Sequence, residues 1–149
     1  TFTIVLPVGT VERAQASEGA EAPGMRHGRI LLVDNELPVM TVLGDMLAEV
    51  GHDVIPVASG AEAIRVFVPG SFDLVMTNLG MTGLTGWDVA ERVRTSDLHV
   101  PIVFITGWGL QAEDRERCRQ LGVQNVLFKP VRPGELHQAV QEALAASTA

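Results

Sequence analysis

The sequence predicts an α/β fold in which helices cover both faces of a five-stranded parallel sheet, a doubly wound arrangement. Five short apolar runs alternate with amphipathic stretches that are long enough to form helices. Strands separated by helical patterns indicate β-α-β units, and such units build parallel sheets. The five runs are Ile30–Val33, Val54–Val57, Asp73–Thr77, Ile102–Thr106 and Val126–Phe128.

Residues that favour helix ends stand between the apolar runs. Proline suits a first helical turn, glycine suits the position after a helix, and Ser or Thr followed three residues later by an acid caps a helix start. These signals occur in order: Pro38 and Gly51 bound helix 1, Ser59 and Glu62 cap helix 2, Thr85 and Asp88 cap helix 3, Gly122 ends helix 4, and Pro133 opens helix 5.

Helix 1 also carries an apolar stripe, which predicts that one face packs on the core. The stripe comprises Val39, Val42, Leu43, Met46, Leu47 and Val50.

Pro56 lies inside the second predicted strand. Because proline cannot donate a hydrogen bond to a neighbouring strand, this strand is expected at an edge of the sheet. In a doubly wound sheet of order 2-1-3-4-5, strand 2 is an edge strand. The proline therefore agrees with that order.

Composition limits the functions that this chain can have. Its 149 residues suit about one domain, and 46% hydrophobic residues can form a core. The net charge of −7 and the lack of a Lys/Arg cluster argue against nucleic-acid binding. No apolar run reaches the roughly 18 residues of a membrane span, so we expect no membrane contact by this fragment. The single cysteine, Cys118, fits a reducing, cytoplasmic location and is expected near the core.

The chain divides into three zones by sequence pattern. Residues 1–8, TFTIVLPV, are predicted to form a strand, and residues 9–28 have the Ala, Gly and Glu content of a flexible linker. Residues 29–146 carry the regular pattern of strands and helices. Because the chain begins with Thr1, we expect it to be a fragment of a longer protein.

Polar residues follow four of the predicted strands. In doubly wound sheets, ligands bind beyond the carboxyl ends of the strands, where the strand order switches. One carboxylate, two amides, a hydroxyl and an ammonium group are therefore expected in one pocket. Asp34, Asn35 and Glu36 follow strand 1, Asn78 follows strand 3, Thr106 ends strand 4, and Lys129 follows strand 5.

These residues carry a family resemblance. The segments RILLVDNE, SFDLVMTNLGMTGLTGWDVA, VPIVFITGWG and VLFKPVRPGEL resemble, in order, the motifs of the receiver domain of response regulators and hybrid histidine kinases. The resemblance covers the chain from Arg29 to about Leu144. It implies a flavodoxin-like, CheY-like fold and a role in two-component phosphorelay signalling.

The resemblance also implies a magnesium site. In the family, two acids after strand 1, an aspartate after strand 3 and a backbone carbonyl bind Mg²⁺. Asp34 matches the first acid, Asn35 stands in place of the second, Asn78 stands in place of the aspartate, and Gly80 supplies the carbonyl. Because Mg²⁺ relies on carboxylate ligands, this site is expected to be weak or absent.

The phosphoryl-binding residues of the family are retained. Thr106 and Lys129 match the hydroxyl and the ammonium that contact the phosphoryl oxygens. The acceptor aspartate, however, is replaced by Asn78, and an amide oxygen is too weak a nucleophile to form an acyl phosphate. Thr82 and Val126 depart from the usual pattern as well. The sequence therefore predicts a phosphorylation-incompetent regulatory or interaction module.

The first residues carry a second, shorter resemblance. TFTIVLPVG is similar to the last strand of a histidine-kinase ATP-binding domain. This implies the C-terminal receiver of a hybrid sensor kinase. The fragment itself is then not an enzyme, its parent is a histidine kinase, and its partner is a histidine kinase domain or another signalling protein.

Two alternatives remain open at this stage. An ordinary phospho-accepting receiver with an engineered Asp-to-Asn change at Asn78 is one of them, although the further departures argue for natural loss. A flavodoxin-like domain that binds a small molecule is the other. That alternative needs a phosphate-binding loop after strand 1, whereas Asp34-Asn35-Glu36-Leu37 would repel phosphate.

Overall fold

The structure, a computed structural model, describes residues 27–147. Strands and helices alternate throughout this part of the chain. The elements are β1 (Arg29–Val33), α1 (Leu37–Glu49), β2 (Asp53–Val57), α2 (Gly60–Val66), β3 (Leu74–Asn78), α3 (Gly86–Ser96), β4 (Ile102–Thr106), α4 (Ala112–Leu121), β5 (Val123–Phe128) and α5 (Pro133–Ser147).

The five strands form one parallel sheet in the order β2-β1-β3-β4-β5. This confirms the predicted fold class and strand order. Pro56 pairs with Leu32 of β1 on one side, and β2 is an edge strand of the sheet, as the proline indicated. The central strand β3 is buried along its whole length, so its last residue lies deep in the molecule.

Two hydrophobic cores lie on opposite faces of the sheet. Alternate residues of β1 point to opposite faces: Leu31 packs in the core with residues of α2, α3 and α4, whereas Leu32 packs in the core with residues of α1 and α5. Cys118 belongs to the first core, as predicted. Burial raises the pKa of its thiol, and the thiol therefore stays protonated and unreactive near neutral pH.

Five strand boundaries differ from the prediction, and three of these are shifts of one residue at the starts of β1, β2 and β3. Strand β3 runs one residue further than predicted, and Asn78 is part of the sheet, paired with Ile105. Strand β5 begins three residues earlier than predicted, at Val123. An irregularity in the pairing places one extra residue, Gln124, between the partners of Ile102 and Val103, which hides the alternation that marks a strand.

The helix ends follow the predicted signals except at the start of α2, and one residue of the predicted α1 stripe is also placed differently. Gly122 ends α4 in the left-handed conformation, with φ of 71°. The predicted capping box of α2 is incomplete, because the Glu62 carboxylate accepts from the amide of Ala58 rather than from that of Ser59. Val42 of α1 is not in the core, since 52% of it is exposed.

The predictions for residues 1–8 and for most of the linker at 9–28 fall outside the described residues. Within residues 27–147, no helix is both long and apolar enough to span a membrane.

Candidate functional site

Four strands bring polar side chains together at their carboxyl ends. Asp34 follows β1, Asn78 and Thr106 are the last residues of β3 and β4, and Lys129 follows β5. Asp34 and Thr106 are fully buried and Asn78 is 4% exposed. Polar groups are rarely buried to this extent unless they have partners, and each of these side chains has them.

The Asp34 carboxylate is the anionic centre of the site. Its Oδ1 accepts hydrogen bonds from the Glu36 amide at 2.8 Å and from Asn78 Nδ2 at 3.3 Å. Its Oδ2 is buried without a hydrogen bond among the described residues, and it lies 3.3 Å from Lys129 Nζ. This contact is an ion pair without hydrogen-bond geometry. The positive charge of Lys129 is thus what compensates for burial of the carboxylate.

The Asn78 amide nitrogen lies among three oxygen acceptors. It donates to Asp34 Oδ1, to Asn35 Oδ1 at 3.4 Å and to the Gly80 carbonyl at 3.2 Å. The opposite orientation of the amide would turn its oxygen towards the Asp34 carboxylate and the Gly80 carbonyl, which can only accept, and would lose both bonds. The NH₂ group therefore holds together the residues that, by their position, match a metal site.

Backbone packing fixes the position of Asn78. The next residue, Leu79, donates its amide to Ile105 of β4 at 2.8 Å. Helix α3 then approaches so closely that a Cβ on Gly86 would lie 2.5 Å from the Asn78 carbonyl oxygen. Only glycine permits this approach, so the start of α3 holds the end of β3 in place.

Lys129 contacts two carboxylates, those of Asp34 and Glu36. The structure turns the Glu36 carboxylate towards the lysine. Counting Glu36, the formal charge of the site is −1 − 1 + 1 = −1, whereas the count without it is zero. Because the ammonium is already neutralised, an incoming anion would have to displace a carboxylate.

Thr106 is bound to its own loop. Its hydroxyl donates to the Trp108 carbonyl and accepts from the Trp108 amide, both at 3.2 Å. These two bonds form a tight turn after β4. The hydroxyl therefore orients the loop, and one of its lone pairs remains for another donor.

Trp108 covers the site, a role that sequence reasoning missed. Its indole lies over Gly80, where a Cβ would be only 2.0 Å from Trp108 Cη2. The side chain is nevertheless 60% exposed. Its position two residues after Thr106 is the one sequence signal that could have placed the ring near the pocket.

Among residues 27–147, no group of three or more His, Cys, Asp or Glu side chains is placed to hold a metal ion. Besides the Asp34 carboxylate, a cation at this site would therefore depend on amide and backbone oxygens.

Residues 30–141 match the response regulator receiver domain, over most of the length of the sheet and helices described above. The chain belongs to the response regulator receiver family. Its fold and its place in two-component signalling follow from that membership.

Relatives of this receiver domain occur in longer signalling proteins. The virulence sensor protein BvgS of Bordetella pertussis is 32% identical over 78% of this chain, which spans 10% of that protein. The transcriptional regulatory protein GlrR of Escherichia coli is 32% identical over 77% of the chain and 26% of its own length. The sensor histidine kinase RcsC of Salmonella typhi is 30% identical over 74% of the chain and 12% of its own length.

Solved structures show the same receiver fold. The receiver domain of the Pseudomonas aeruginosa sensor histidine kinase PA1611, solved with a magnesium ion in its active site cleft, is 30% identical, with a TM-score of 0.71 over 80% of this chain and 99% of that one. A receiver domain protein from Clostridium thermocellum is 26% identical, with a TM-score of 0.73 over 78% of this chain and 94% of that one.

Proposed function

We propose that this receiver domain acts in two-component signalling without being phosphorylated at Asn78, as a regulatory or interaction module. The observation that supports this most directly is the hydrogen bonding of the Asn78 amide. Its nitrogen, rather than an oxygen, points into the pocket towards Asp34 and Gly80. The position that must supply a nucleophile therefore presents a hydrogen-bond donor.

The chemistry of the amide supports the same proposal. A carboxylate has a full negative charge to share with an incoming phosphorus atom, whereas the amide oxygen belongs to a neutral group and is a much weaker nucleophile. Rotating the Asn78 side-chain amide so that its Oδ1 faced the pocket would also leave Asp34 and Gly80 without their hydrogen-bond donor. Both effects act against phosphoryl transfer.

The residues present fit Mg²⁺ poorly. This ion prefers six hard oxygen ligands, with one or two carboxylates among them. Only one carboxylate, that of Asp34, is among the oxygens next to the Asn78 amide. The Asn78 NH₂ group itself lies 3.2–3.4 Å from the three oxygens that would have to bind the ion. We therefore propose that the site has lost Mg²⁺ or binds it weakly, unlike the cleft of the PA1611 receiver domain.

The domain organisation is part of the proposal. We propose that residues 1–8 end a kinase ATP-binding domain, that residues 9–28 are a linker and that the receiver domain occupies residues 29–146 of a hybrid sensor kinase. The relatives BvgS and RcsC, a sensor protein and a sensor histidine kinase, support this layout. The fragment would then have no catalytic activity of its own. Its partner would be a cytoplasmic histidine kinase domain or another signalling protein, and it would bind no nucleic acid.

Phosphorylation by a small donor tests the proposal. We expect that the chain incubated with Mg²⁺ and acetyl phosphate shows no phosphoryl adduct in its intact mass, because Asn78 cannot form the acyl phosphate. The variant Asn78→Asp is expected to remain largely unmodified, since the second metal-binding acid is still missing. The double variant Asn78→Asp, Asn35→Asp is expected to be partly phosphorylated.

Each outcome separates the alternatives. A stable adduct on the unchanged chain that maps to this pocket would refute the proposal. Full recovery by Asn78→Asp alone would favour an engineered or recent change in an otherwise ordinary receiver. Adding Asp34→Asn to the double variant serves as the control, because it removes the remaining acid and should abolish any recovered adduct.

A further inference from the structure

Two histidines lie where the chain enters the domain, at the other end of the sheet from the pocket, and a third, on α5, acts on one of them through its charge. His52 is in the turn between α1 and β2, His27 precedes β1, and His137 is on α5. The rings of His27 and His52 meet edge to face, with their centroids 5.8 Å apart. The positive charge of His27 or His137, when protonated, acts on His52. The rings of His27 and His52 thus meet, and the charge of His137 also reaches His52.

His52 is the buried member of the group. It is 6% exposed, and its Nδ1 accepts a hydrogen bond from the Gly28 amide at 3.2 Å. A ring nitrogen that accepts cannot carry a proton, so the neutral ring has its proton on Nε2. That Nε2 is buried and has no hydrogen-bond partner among the described residues. These surroundings therefore favour the neutral form of the His52 ring.

Gly28, the partner of His52, is itself tightly held. Its carbonyl accepts from the Asp53 amide at 3.0 Å. A Cβ at this position would lie 2.9 Å from Leu144 Cδ2 and 3.0 Å from Asp73 Cβ. Gly28 is thus the point at which the segment before β1 docks between β2, α5 and the start of β3.

We propose that His52 is a pH-sensitive latch that holds the segment His27–Gly28 against the receiver domain and releases it when the ring is protonated. The proposal is independent of the chemistry at Asn78. It concerns how the chain leading into the domain is attached, and so how the domain is oriented relative to whatever precedes it.

Protonation would break the latch in two ways. A proton on Nδ1 would face the Gly28 N–H, so that two donors meet and the hydrogen bond is lost. The new charge would also be buried beside His27 and His137, and two of these rings protonated together repel each other. Burial is the main cause that lowers the pKa of His52, and the charges of His27 and then His137 lower it further.

The charged groups on neighbouring elements do not offset this effect. Arg29 interacts with both nearby carboxylates: its Nε lies 3.6 Å from Asp53 Oδ2, and its backbone amide donates to Asp73 Oδ2 at 2.8 Å. Helix α1 contributes the Leu47 carbonyl, which accepts from the backbone amide of His52. None of these contacts supplies an acceptor to His52 Nε2.

The direction of the pH effect follows from the lowered pKa. In the unfolded chain a histidine has a pKa of about 6.5, and the folded value of His52 lies below this. Above about pH 6.5 both states are neutral and the latch contributes fully to stability. As the pH falls from about 6.5 through the folded pKa, the unfolded state binds the proton first and the contribution of the latch is lost.

A nuclear magnetic resonance titration of the chain from about pH 8 to pH 5 tests the latch, because each imidazole can be followed by its own ring protons. We expect His52 to titrate below the ordinary value and the Gly28 amide resonance to shift with the same midpoint. A Gly28 resonance that does not move, or that moves without His52, would overturn the proposal.

A pair of variants separates the latch from general effects of acid. His52→Gln keeps an acceptor for Gly28 but cannot be protonated, whereas the matched control His99→Gln removes an exposed histidine elsewhere. We expect the denaturant midpoint of the unchanged chain and of the control to fall between about pH 7.5 and 5.5, and the midpoint of His52→Gln to fall less. Equal losses in all three proteins would refute the latch. If His52→Gln does not fold, the titration of the unchanged chain decides.

Discussion

The two halves of the pocket differ in how far they depart from the receiver family. In the half formed by β1 and β3, amides stand at Asn35 and Asn78, where the resemblance to the receiver family leads us to expect acids. In the half formed by β4 and β5, Thr106 and Lys129 are retained. In both halves the polar side chains are nevertheless engaged within the protein. In the first half the Asn78 amide binds Asp34, and in the second Thr106 binds Trp108 and Lys129 pairs with Glu36.

The difference shows which part of the pocket the fold itself needs. Lys129 compensates for the buried charge of Asp34, and this requirement remains even if no phosphoryl group ever binds. Acids in the other half would repel one another unless a cation were present, and amides at these positions avoid that repulsion. If phosphorylation is lost, as we propose, we therefore expect the acids to be replaced before the lysine.

Removal of the lysine charge is expected to have the largest effect. Lys129→Met would leave the fully buried Asp34 carboxylate without a counter-charge and should lower the free energy of unfolding by about 3 kcal/mol. Chemical denaturation measures the loss. Lys129→Arg keeps the charge and is the matched control.

The double variant Asp34→Asn, Lys129→Met should regain most of this stability, because neither charge is then buried. A single Lys129→Met variant as stable as the parent would show that the two halves are not coupled through this ion pair.

A carboxylate at position 78 is expected to have the next largest effect. Asn78→Asp replaces the donor to Asp34 and Gly80 by a second negative charge. Without Mg²⁺, the free energy of unfolding should fall by about 2 kcal/mol, from lost hydrogen bonds and repulsion. Thermal or chemical unfolding in the presence of a chelator measures this.

The exposed Asn35 offers the comparison for that variant. Asn35→Asp alone should cost less, because its side chain is solvated. An Asn78→Asp variant that loses no stability in chelator would mean that the amide bonds do not hold this half of the pocket together.

The cover over the pocket is expected to give the smallest change in stability. Gly80→Ala would push its Cβ against the Trp108 ring, which must swing away. The ring is largely exposed, so the stability change should stay within about 0.5 kcal/mol, while tryptophan fluorescence shifts. Gly134→Ala, where a Cβ meets nothing within 4 Å, is the control and should leave the emission unchanged.

Much of the fold could be predicted because its signals are local. Pro56 marked the edge strand, and Gly122 marked the end of α4. The failures have physical reasons as well. The stripe on α1 is wider than the face that the sheet can cover, so Val42 stays in solvent. The start of β5 was hidden because Gln124 interrupts the pairing.

The candidate site, too, has features that the sequence predicts and features that it does not. The meeting of Asp34, Asn78 and Lys129 follows from strand order, and strand order follows from pattern. The ion pair of Glu36 with Lys129 joins residues 93 positions apart, and no spacing rule connects them. The position of the Trp108 ring depends on the turn that Thr106 makes, which only coordinates reveal.

The two edges of the sheet bear on the aggregation of this domain. An uncovered parallel edge offers backbone groups that another chain can pair with. On β2, Pro56 removes one such donor. On β5, the Asn125 side chain accepts from the amide of Val126 at 2.8 Å, next to the irregularity at Gln124. Each edge thus loses part of its regular row of donors, by proline on one side and by a side-chain acceptor on the other, which disfavours the stacking of copies into continuous sheets.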